Sequence, residues 1–350
     1  MSRNIDIFSE PYAIVFAGGG ARGAWQIGVW KALREKFGNH AEAVSGTSVG
    51  ALNAALYAMS PDDPTPAENI WTESIQKYPI ITQWPELVNK VVTGVLATGS
   101  FIADLFSQQN KIRRSNEHLR SVIQEGIKGR TFHLPTYICA YDRNEKVSRF
   151  PQIDTDAMDE ERRCEWLLAS TAIPYIFPSI KIDGVEYSDG GFGWDHALRV
   201  KKSDLDNLKN VPLKPIEDLE NIKNVFVLTL SQNEETFWQK ANPDFNIIPI
   251  MPNKELGFAL DFSKDHITEI MNQGFEDGQK WLKNKGRLII NAANLNQVHK
   301  IGEEIEACKK IFEGIKSLRE ELLADYNSEF KNALERYNNH KTEENKKELN

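Results

Sequence analysis

Apolar and polar residues are arranged in two different patterns over the first 60 residues of the chain. Short apolar runs at residues 13–17 and in the segment AEAVSGTS predict two buried strands. Each run is followed by a segment whose apolar residues recur every three or four positions, GAWQIGVWKALREKFG and VGALNAALYAM, which predicts a helix. This strand–helix–strand–helix order predicts an α/β fold with a mostly parallel sheet.

The rest of the pattern predicts one large domain and a helical extension. Residues 84–123 are expected to be mostly helical. Three later segments predict buried strands: TYICAYD, NVFVLTLS and GRLIINA. The segment SIKIDGVEYS predicts a hairpin-like pair of strands. Because both ends of this stretch supply strands, residues 1–292 are expected to form one domain. From Ile301, apolar residues recur amid Lys and Glu, so residues 293–350 are predicted to form an amphipathic helical extension with a frayed polar tail.

Composition narrows the class of protein. The 350 residues are 41% hydrophobic, which supports a sizeable core. Neither a run of 18 apolar residues nor the apolar core of a secretory signal is present, so no transmembrane helix or signal peptide is expected. The three cysteines are far apart, which suits a reducing cytoplasm. The net charge of -8 argues against a nucleic-acid partner.

The segment GTSVG places Ser48 between a predicted strand and a predicted helix. This G-x-S-x-G pattern is typical of a nucleophile elbow, a tight turn that presents a reactive serine. Gly46 and Gly50 would remove Cβ atoms where the backbone is crowded, and the helix N-terminus would stabilise an oxyanion. A close-packed turn with a structural serine explains the same residues, so this stretch alone leaves both interpretations open.

A second glycine-rich loop, GGGARG at residues 18–23, follows the first predicted strand. One interpretation is an oxyanion hole in which the N–H groups of Gly19 and Gly20 are donors and Arg22 holds the loop or stabilises charge. The others are a structural turn and a phosphate cradle in a nucleotide-binding module without catalysis. The cradle lacks the G-K-[ST] that usually accompanies it. Proximity of neighbouring parallel strands favours the oxyanion hole beside Ser48.

A serine nucleophile needs a base. None of the seven histidines has a supporting context, and His196, seven residues after Asp189, fits a triad best. Asp189 itself lies in EYSDGG after the predicted hairpin, although Asp-Gly most often marks an ordinary turn. Because an unperturbed aspartate has a pKa of about 3.9, a base at this position would need a site that desolvates and orients the carboxyl.

Taken together, these segments resemble the patatin-like phospholipase family. AGGGARGAWQIGV resembles its oxyanion loop, GTSVG its nucleophile elbow and DGG its catalytic aspartate motif. ASTAIPYIFPSIKIDGVEYSDGG resembles the approach to that aspartate, and LGFALDFSKDHITEIMNQGFEDGQ is similar to a segment of many bacterial members. The resemblance spans roughly residues 12–285.

The resemblance implies a three-layer α/β/α sandwich and a serine acyl hydrolase. The reaction would be hydrolysis of a carboxylic ester in a phospholipid or lysophospholipid through an acyl-serine intermediate, without a metal or organic cofactor. The residues that match the family's motifs are the dyad Ser48 and Asp189, the oxyanion loop residues Gly18, Gly19, Gly20 and Arg22, the elbow glycines Gly46 and Gly50, and Gly190 and Gly191 of the DGG motif.

Several points stay open at this level. The apolar segment 87–106 would cover a lipid groove, make a transient contact with a membrane surface, or form a buried helix. The C-terminal stripe is not a strict heptad, so its helix would pack on the domain or mediate an oligomer contact. Some patatin-like proteins are effectors switched on by a ligand or partner, and no residue decides this here. Head group, acyl position and chain length depend on pocket shape.

Overall fold

A computed structural model describes residues 10–37, 41–78, 115–174, 176–191, 210–230, 246–284 and 331. The chain divides into two compact units, Met1–Leu288 and Ile289–Asn350, and every helix and strand named below lies in the first. The predicted segment 87–106, the predicted strand GRLIINA and most of the predicted C-terminal helix lie outside the described residues. The domain boundary at residue 292 therefore stays a prediction.

The described part of the first unit contains both strands and helices. The strands are β1 (Tyr12–Phe16), β2 (Ala41–Thr47), β3 (Thr136–Asp142), β4 (Val147–Arg149), β5 (Ile180–Ile182), β6 (Val185–Asp189), β7 (Asn224–Leu228) and β8 (Asn246–Ile250). The helices are α1 (Ala24–Phe37), α2 (Val49–Met59), α3 (Thr65–Asn69, continued by a π-helical turn Ile70–Ser74 and by Ile75–Lys77), α4 (Glu117–Ile127), α5 (Glu160–Thr171), α6 (Lys214–Glu217) and α7 (264–284). A 3-10 turn, Gly20–Gly23, precedes α1.

Five of these strands form a parallel sheet in the order β3, β2, β1, β7, β8. β1 and β7 are buried along their whole length, and β2 nearly so, because a parallel sheet is covered on both faces. This burial explains why the strands are visible in the sequence as almost continuous apolar runs. The predictions of strands at residues 13–17, AEAVSGTS, TYICAYD and NVFVLTLS are confirmed.

Antiparallel strands are added beside β3. Its residues 136–139 pair with β2, whereas residues 140–142 pair antiparallel with both β4 and β6. The predicted hairpin is also confirmed, because β5 and β6 pair around Asp183 and Gly184. Both turn residues have positive φ, which a two-residue hairpin turn favours.

Different layers cover the two faces of the sheet. On one face Phe16 contacts Tyr57 of α2, and Phe226 contacts Trp281 of α7. On the other face, small and branched residues of β1, β2 and β7 pack against the segment 211–222, which includes α6. The arrangement is the α/β fold with three layers that the sequence predicts. Among the described residues no helix is both long enough and apolar enough to cross a membrane.

Candidate active site

Ser48 occupies the turn between β2 and α2. Its φ of 57° and ψ of -127° are rare for a residue with a side chain, and such strain is concentrated at functional sites. The turn is tight: a Cβ on Gly46 would lie 2.1 Å from the Gly50 carbonyl oxygen, and one on Gly50 would lie 2.2 Å from the Phe16 oxygen. The turn therefore requires glycine at both positions.

The backbone of this turn is held by Ser170, at the end of α5. The Ser48 N–H donates to Ser170 Oγ at 2.9 Å, and the Ser170 hydroxyl in turn donates to the Cys139 carbonyl oxygen at 2.7 Å. Ser170 is fully buried. It thus links the serine turn to β3 and fixes the direction in which Ser48 leaves the strand.

Strand register brings Asp189 to Ser48. β2 and β6 pair with consecutive stretches of β3, so that Thr47 lies opposite Cys139 and Asp189 lies opposite Ala140. Ser48 follows Thr47 directly, which places the serine turn next to the end of β6. The predicted nucleophile and the predicted base are therefore neighbours, although 141 positions separate them in the sequence.

The Asp189 carboxyl is buried and only partly satisfied. It is 1% exposed, and this desolvation raises its pKa to about 7, against smaller lowering effects of the Ser48 hydroxyl and the Gly191 N–H. Oδ1 accepts a 2.8 Å hydrogen bond from Gly191 N–H, whereas Oδ2 has no partner of normal hydrogen-bond geometry among the described residues. The Ser48 hydroxyl contact is therefore looser than a normal hydrogen bond.

Gly190, the next residue of the DGG motif, lies in a crowded position. Gly190 packs against Cys139, where a Cβ would lie 2.5 Å from the carbonyl oxygen. His196, the alternative base, lies outside the described residues.

The glycine-rich loop passes directly beside Ser48. A Cβ on Gly18 would lie 3.2 Å from the Ser48 Cβ. Gly18 exchanges two hydrogen bonds with Asn210: its N–H donates to the Asn210 carbonyl oxygen at 3.1 Å, and its own oxygen accepts from Asn210 Nδ2 at 2.8 Å. Since the Gly18 N–H is used in this way, the donors left for an oxyanion are those of Gly19 and Gly20, which bind no group among the described residues.

The far side of the loop is held by the segment that precedes α7. The Ala21 N–H donates to the Ala259 carbonyl oxygen at 2.7 Å, and Arg22 Nε donates to the Gly257 oxygen at 2.9 Å. The Arg22 side chain is therefore bonded to the segment before α7, and its role at an oxyanion stays a prediction.

A buried amide network supports the same loop from below. Gln26 Nε2 donates to the Ala17 oxygen and Asn53 Nδ2 donates to the Gly23 oxygen, so that both ends of the loop are fixed. Asn53 Nδ2 also donates to Gln26 Oε1 at 2.8 Å, and Trp71 Nε1 donates to Asn53 Oδ1 at 2.9 Å. Gln26 and Asn53 are completely buried, and nothing in the motifs identified them.

An apolar cavity opens at the serine. Ser48 and Gly20 form one end of it, and its walls come from α2, the π-helical turn of α3, and α4. Most of the wall is aliphatic or aromatic, including Leu52, Leu56, Ile70, Trp71, Leu119 and Val122. Among the described residues, no group of three or more His, Cys, Asp or Glu side chains is placed to hold a metal ion.

Comparison with known proteins places these features in a family. A family model described as patatin-like phospholipase matches residues 14–197. A patatin-like phospholipase domain-containing protein of Caenorhabditis elegans is 54% identical over 50 residues, which are 14% of this chain and 4% of that protein. Lysophospholipase nte1 of Aspergillus terreus is 53% identical over 49 residues, 14% of this chain and 3% of that protein. The matches thus span a small part of these relatives.

Solved structures give more distant similarities. VipD from Legionella pneumophila has a TM-score of 0.43 and 13% identity, with 79% of this chain and 67% of that chain covered. Human GIVD cytosolic phospholipase A2, in complex with a fluorophosphonate inhibitor, has a TM-score of 0.42 and 10% identity. The match covers 83% of this chain and 60% of that chain.

Proposed function

Because the chain belongs to the patatin-like phospholipase family, a family of lipid hydrolases, we propose that it cleaves carboxylic esters of phospholipids or lysophospholipids. Ser48 is the nucleophile and Asp189 is its only partner. The observation that carries the proposal is a buried carboxyl beside a serine turn at the end of an apolar cavity.

The proposed acylation step uses three groups of this site. The Asp189 carboxylate accepts the Ser48 hydroxyl proton as Oγ attacks the ester carbonyl carbon. The N–H groups of Gly19 and Gly20 then stabilise the oxyanion of the tetrahedral intermediate. When that intermediate collapses, the alcohol leaves with the proton held by Asp189, and the acyl group stays on Ser48.

Deacylation repeats these steps with water. Asp189 accepts a proton from the attacking water, the oxyanion forms against the same two N–H groups, and Ser48 Oγ leaves as it regains a proton. A carboxyl with an ordinary pKa is a weak base near neutral pH, but burial raises the pKa of Asp189 to about 7. This value supports a role that a histidine fills in many other serine hydrolases.

The cavity supports an acyl chain as the bound group. Its walls are almost entirely apolar, which suits the hydrocarbon of an acyl chain. A phosphate-binding module is less well supported, because the Gly18 N–H is already bonded to Asn210 and the loop opens onto apolar side chains.

The wider setting is also a proposal. We expect a cytoplasmic protein that contacts a membrane surface transiently to take up substrate. Self-association through the C-terminal helix stays a prediction.

The test is covalent labelling with a fluorescent fluorophosphonate, followed by assays on short-chain esters and phospholipid vesicles. We expect Ser48→Ala to lose both labelling and turnover while it stays folded by circular dichroism. Asp189→Asn should stay folded and lose turnover. Ser121→Ala, a serine on α4 whose hydroxyl donates to the Glu117 oxygen, is the matched control and should behave as wild type.

Two other outcomes have clear meanings. Undiminished turnover by folded Ser48→Ala would refute the assignment of the nucleophile. Labelling of wild-type Ser48 without turnover of any ester would favour the alternative of an effector that needs an activating ligand or partner.

A further inference from the structure

A second apolar cavity lies behind the one that opens at Ser48. It is smaller than the first cavity. It is lined by residues of α2, α3, α4 and α5, all of them apolar. Neither Ser48 nor any residue of the glycine-rich loop contributes to it, so the proposed chemistry leaves this space unexplained.

The two cavities share part of their walls. Leu52, Leu56, Ile70 and Val122 line both of them. Gly126 and Ile127 of α4 and Leu167 of α5 line only the second. The shared side chains are therefore the partition between the cavity that contains the nucleophile and the cavity behind it.

Gly126 lies next to two side chains of the partition. A Cβ at this position would lie 3.6 Å from Leu56 Cδ2 and 3.8 Å from Ile70 Cδ1, ordinary van der Waals distances. A methyl group at position 126 would therefore touch the tips of both side chains, which line the second cavity together with Gly126.

We propose that Leu56, with Ile70 and Val122, sets the longest acyl chain that the site accepts. This inference rests on the proposed function, because it takes the first cavity as the acyl site. A chain that extends from Ser48 along the first cavity meets these side chains at its methyl end. Further methylene groups then gain no buried contact unless the partition is removed.

The gain from each accommodated methylene can be stated as a rate ratio. Burying one methylene group is worth about 0.8 kcal/mol, which corresponds to roughly a fourfold increase in kcat/KM per carbon. For wild type, kcat/KM is expected to rise with chain length until the chain reaches the partition and then to stop rising. The length at this break is the quantity that the partition determines.

The experiment measures kcat/KM for p-nitrophenyl esters from butanoate to stearate, all below their critical micelle concentrations or in mixed micelles of constant composition. Leu56→Ala is expected to move the break to longer chains by merging the two cavities. Val122→Ala removes less volume and should move it in the same direction by a smaller amount, which keeps the test valid if Leu56→Ala fails to fold.

Two control variants distinguish an effect of the partition from an effect of generally weaker core packing. Ile127→Ala enlarges only the second cavity and should leave the break where wild type has it. Leu56→Ala combined with Gly126→Leu refills the second cavity and should bring the break back towards shorter chains. Labelling rates with alkyl fluorophosphonates of increasing length give a second readout that depends on Ser48 but not on turnover.

The possible outcomes distinguish the role of the partition from the proposed hydrolase function. An active wild type whose break is the same in all folded variants would overturn the role of the partition and leave the proposed hydrolase intact. A folded wild type that neither hydrolyses nor is labelled at any chain length would overturn both. A shift in Ile127→Ala as large as that in Leu56→Ala would also overturn the inference, because core packing alone would then explain it.

Discussion

Replacing Asp189 by asparagine should make the stability of the folded protein less sensitive to rising pH, although it removes the proposed base. Burial raises the pKa of this carboxyl from 3.8 to about 7. Between these pH values the folded protein keeps a proton that the unfolded chain has lost. Wild-type stability from this group is therefore fully present below about pH 4 and is lost as pH rises through about 7. Asparagine does not titrate, so the variant does not undergo this loss of stability.

The size of the effect follows from the same pKa. Each pKa unit corresponds to about 1.4 kcal/mol, so the whole effect is roughly 4 kcal/mol, of which about 3 kcal/mol falls between pH 5 and pH 8. The free energy of unfolding of Asp189→Asn, relative to wild type, should rise by up to about 3 kcal/mol over this interval. Any constant difference caused by the new amide cancels in the comparison.

Urea unfolding at these two pH values, followed by tryptophan fluorescence, measures the change. Asp156→Asn, which removes one carboxyl at an exposed position, is the matched control. A constant stability difference between Asp189→Asn and wild type would contradict the reasoning, because it would mean that the carboxyl is ionised in the folded protein at both pH values.

Two further predictions concern catalysis. The kcat/KM of wild type for a short-chain ester should rise with pH through about 7 and then level off, because Asp189 acts as a base only when it is ionised; a flat profile would contradict this role. Ser170→Ala should lower kcat by about tenfold to a hundredfold with little change in KM, because the Ser48 N–H loses its acceptor and the turn is free to shift. Ser45→Ala removes an equally buried hydroxyl that donates to the Pro212 oxygen, so loss of kcat in both variants would point to general destabilisation instead.

The fold was predictable wherever burial controls residue choice along the chain. β1, β2, β3 and β7 are nearly continuous apolar runs because both faces of the sheet are covered. β8 was not predicted, since Pro249 within NIIPI argues against a strand. Among the described strands it lies at the end of the sheet order, where a missing backbone donor is tolerated.

Helix α5 was missed although the sequence carries its signals. Its first four residues, EERR, are all charged. Its apolar face is formed further along the helix, by Cys164, Leu167 and Leu168. The Asp159 side chain caps its N-terminus by accepting from the Arg162 N–H. A search for the N-cap followed by apolar residues three and four apart would have found the helix.

The motifs of the proposed site are recognisable in the sequence, whereas the residues that support them are only partly so. Ser170 lies 122 positions from Ser48, and Asn210 lies 192 positions from Gly18. Single serine and asparagine residues at such distances leave no local pattern. Gln26 and Asn53 are different, because each places a polar amide within a buried, otherwise apolar stretch of helix. Such a polar residue must be paired when buried, and that signal was available from the sequence.

The incomplete satisfaction of Asp189 is itself part of the proposed chemistry. Oδ1 is paired with the Gly191 N–H, and this bond lowers the pKa against the effect of burial. A second N–H donor on Oδ2 would stabilise the carboxylate further and bring its pKa closer to that of an ordinary aspartate. Such a carboxylate would be a weaker base towards the Ser48 hydroxyl. Because Oδ2 has no normal partner among the described residues, the cost of burying it unpaired is what raises the basicity that a Ser–Asp pair needs.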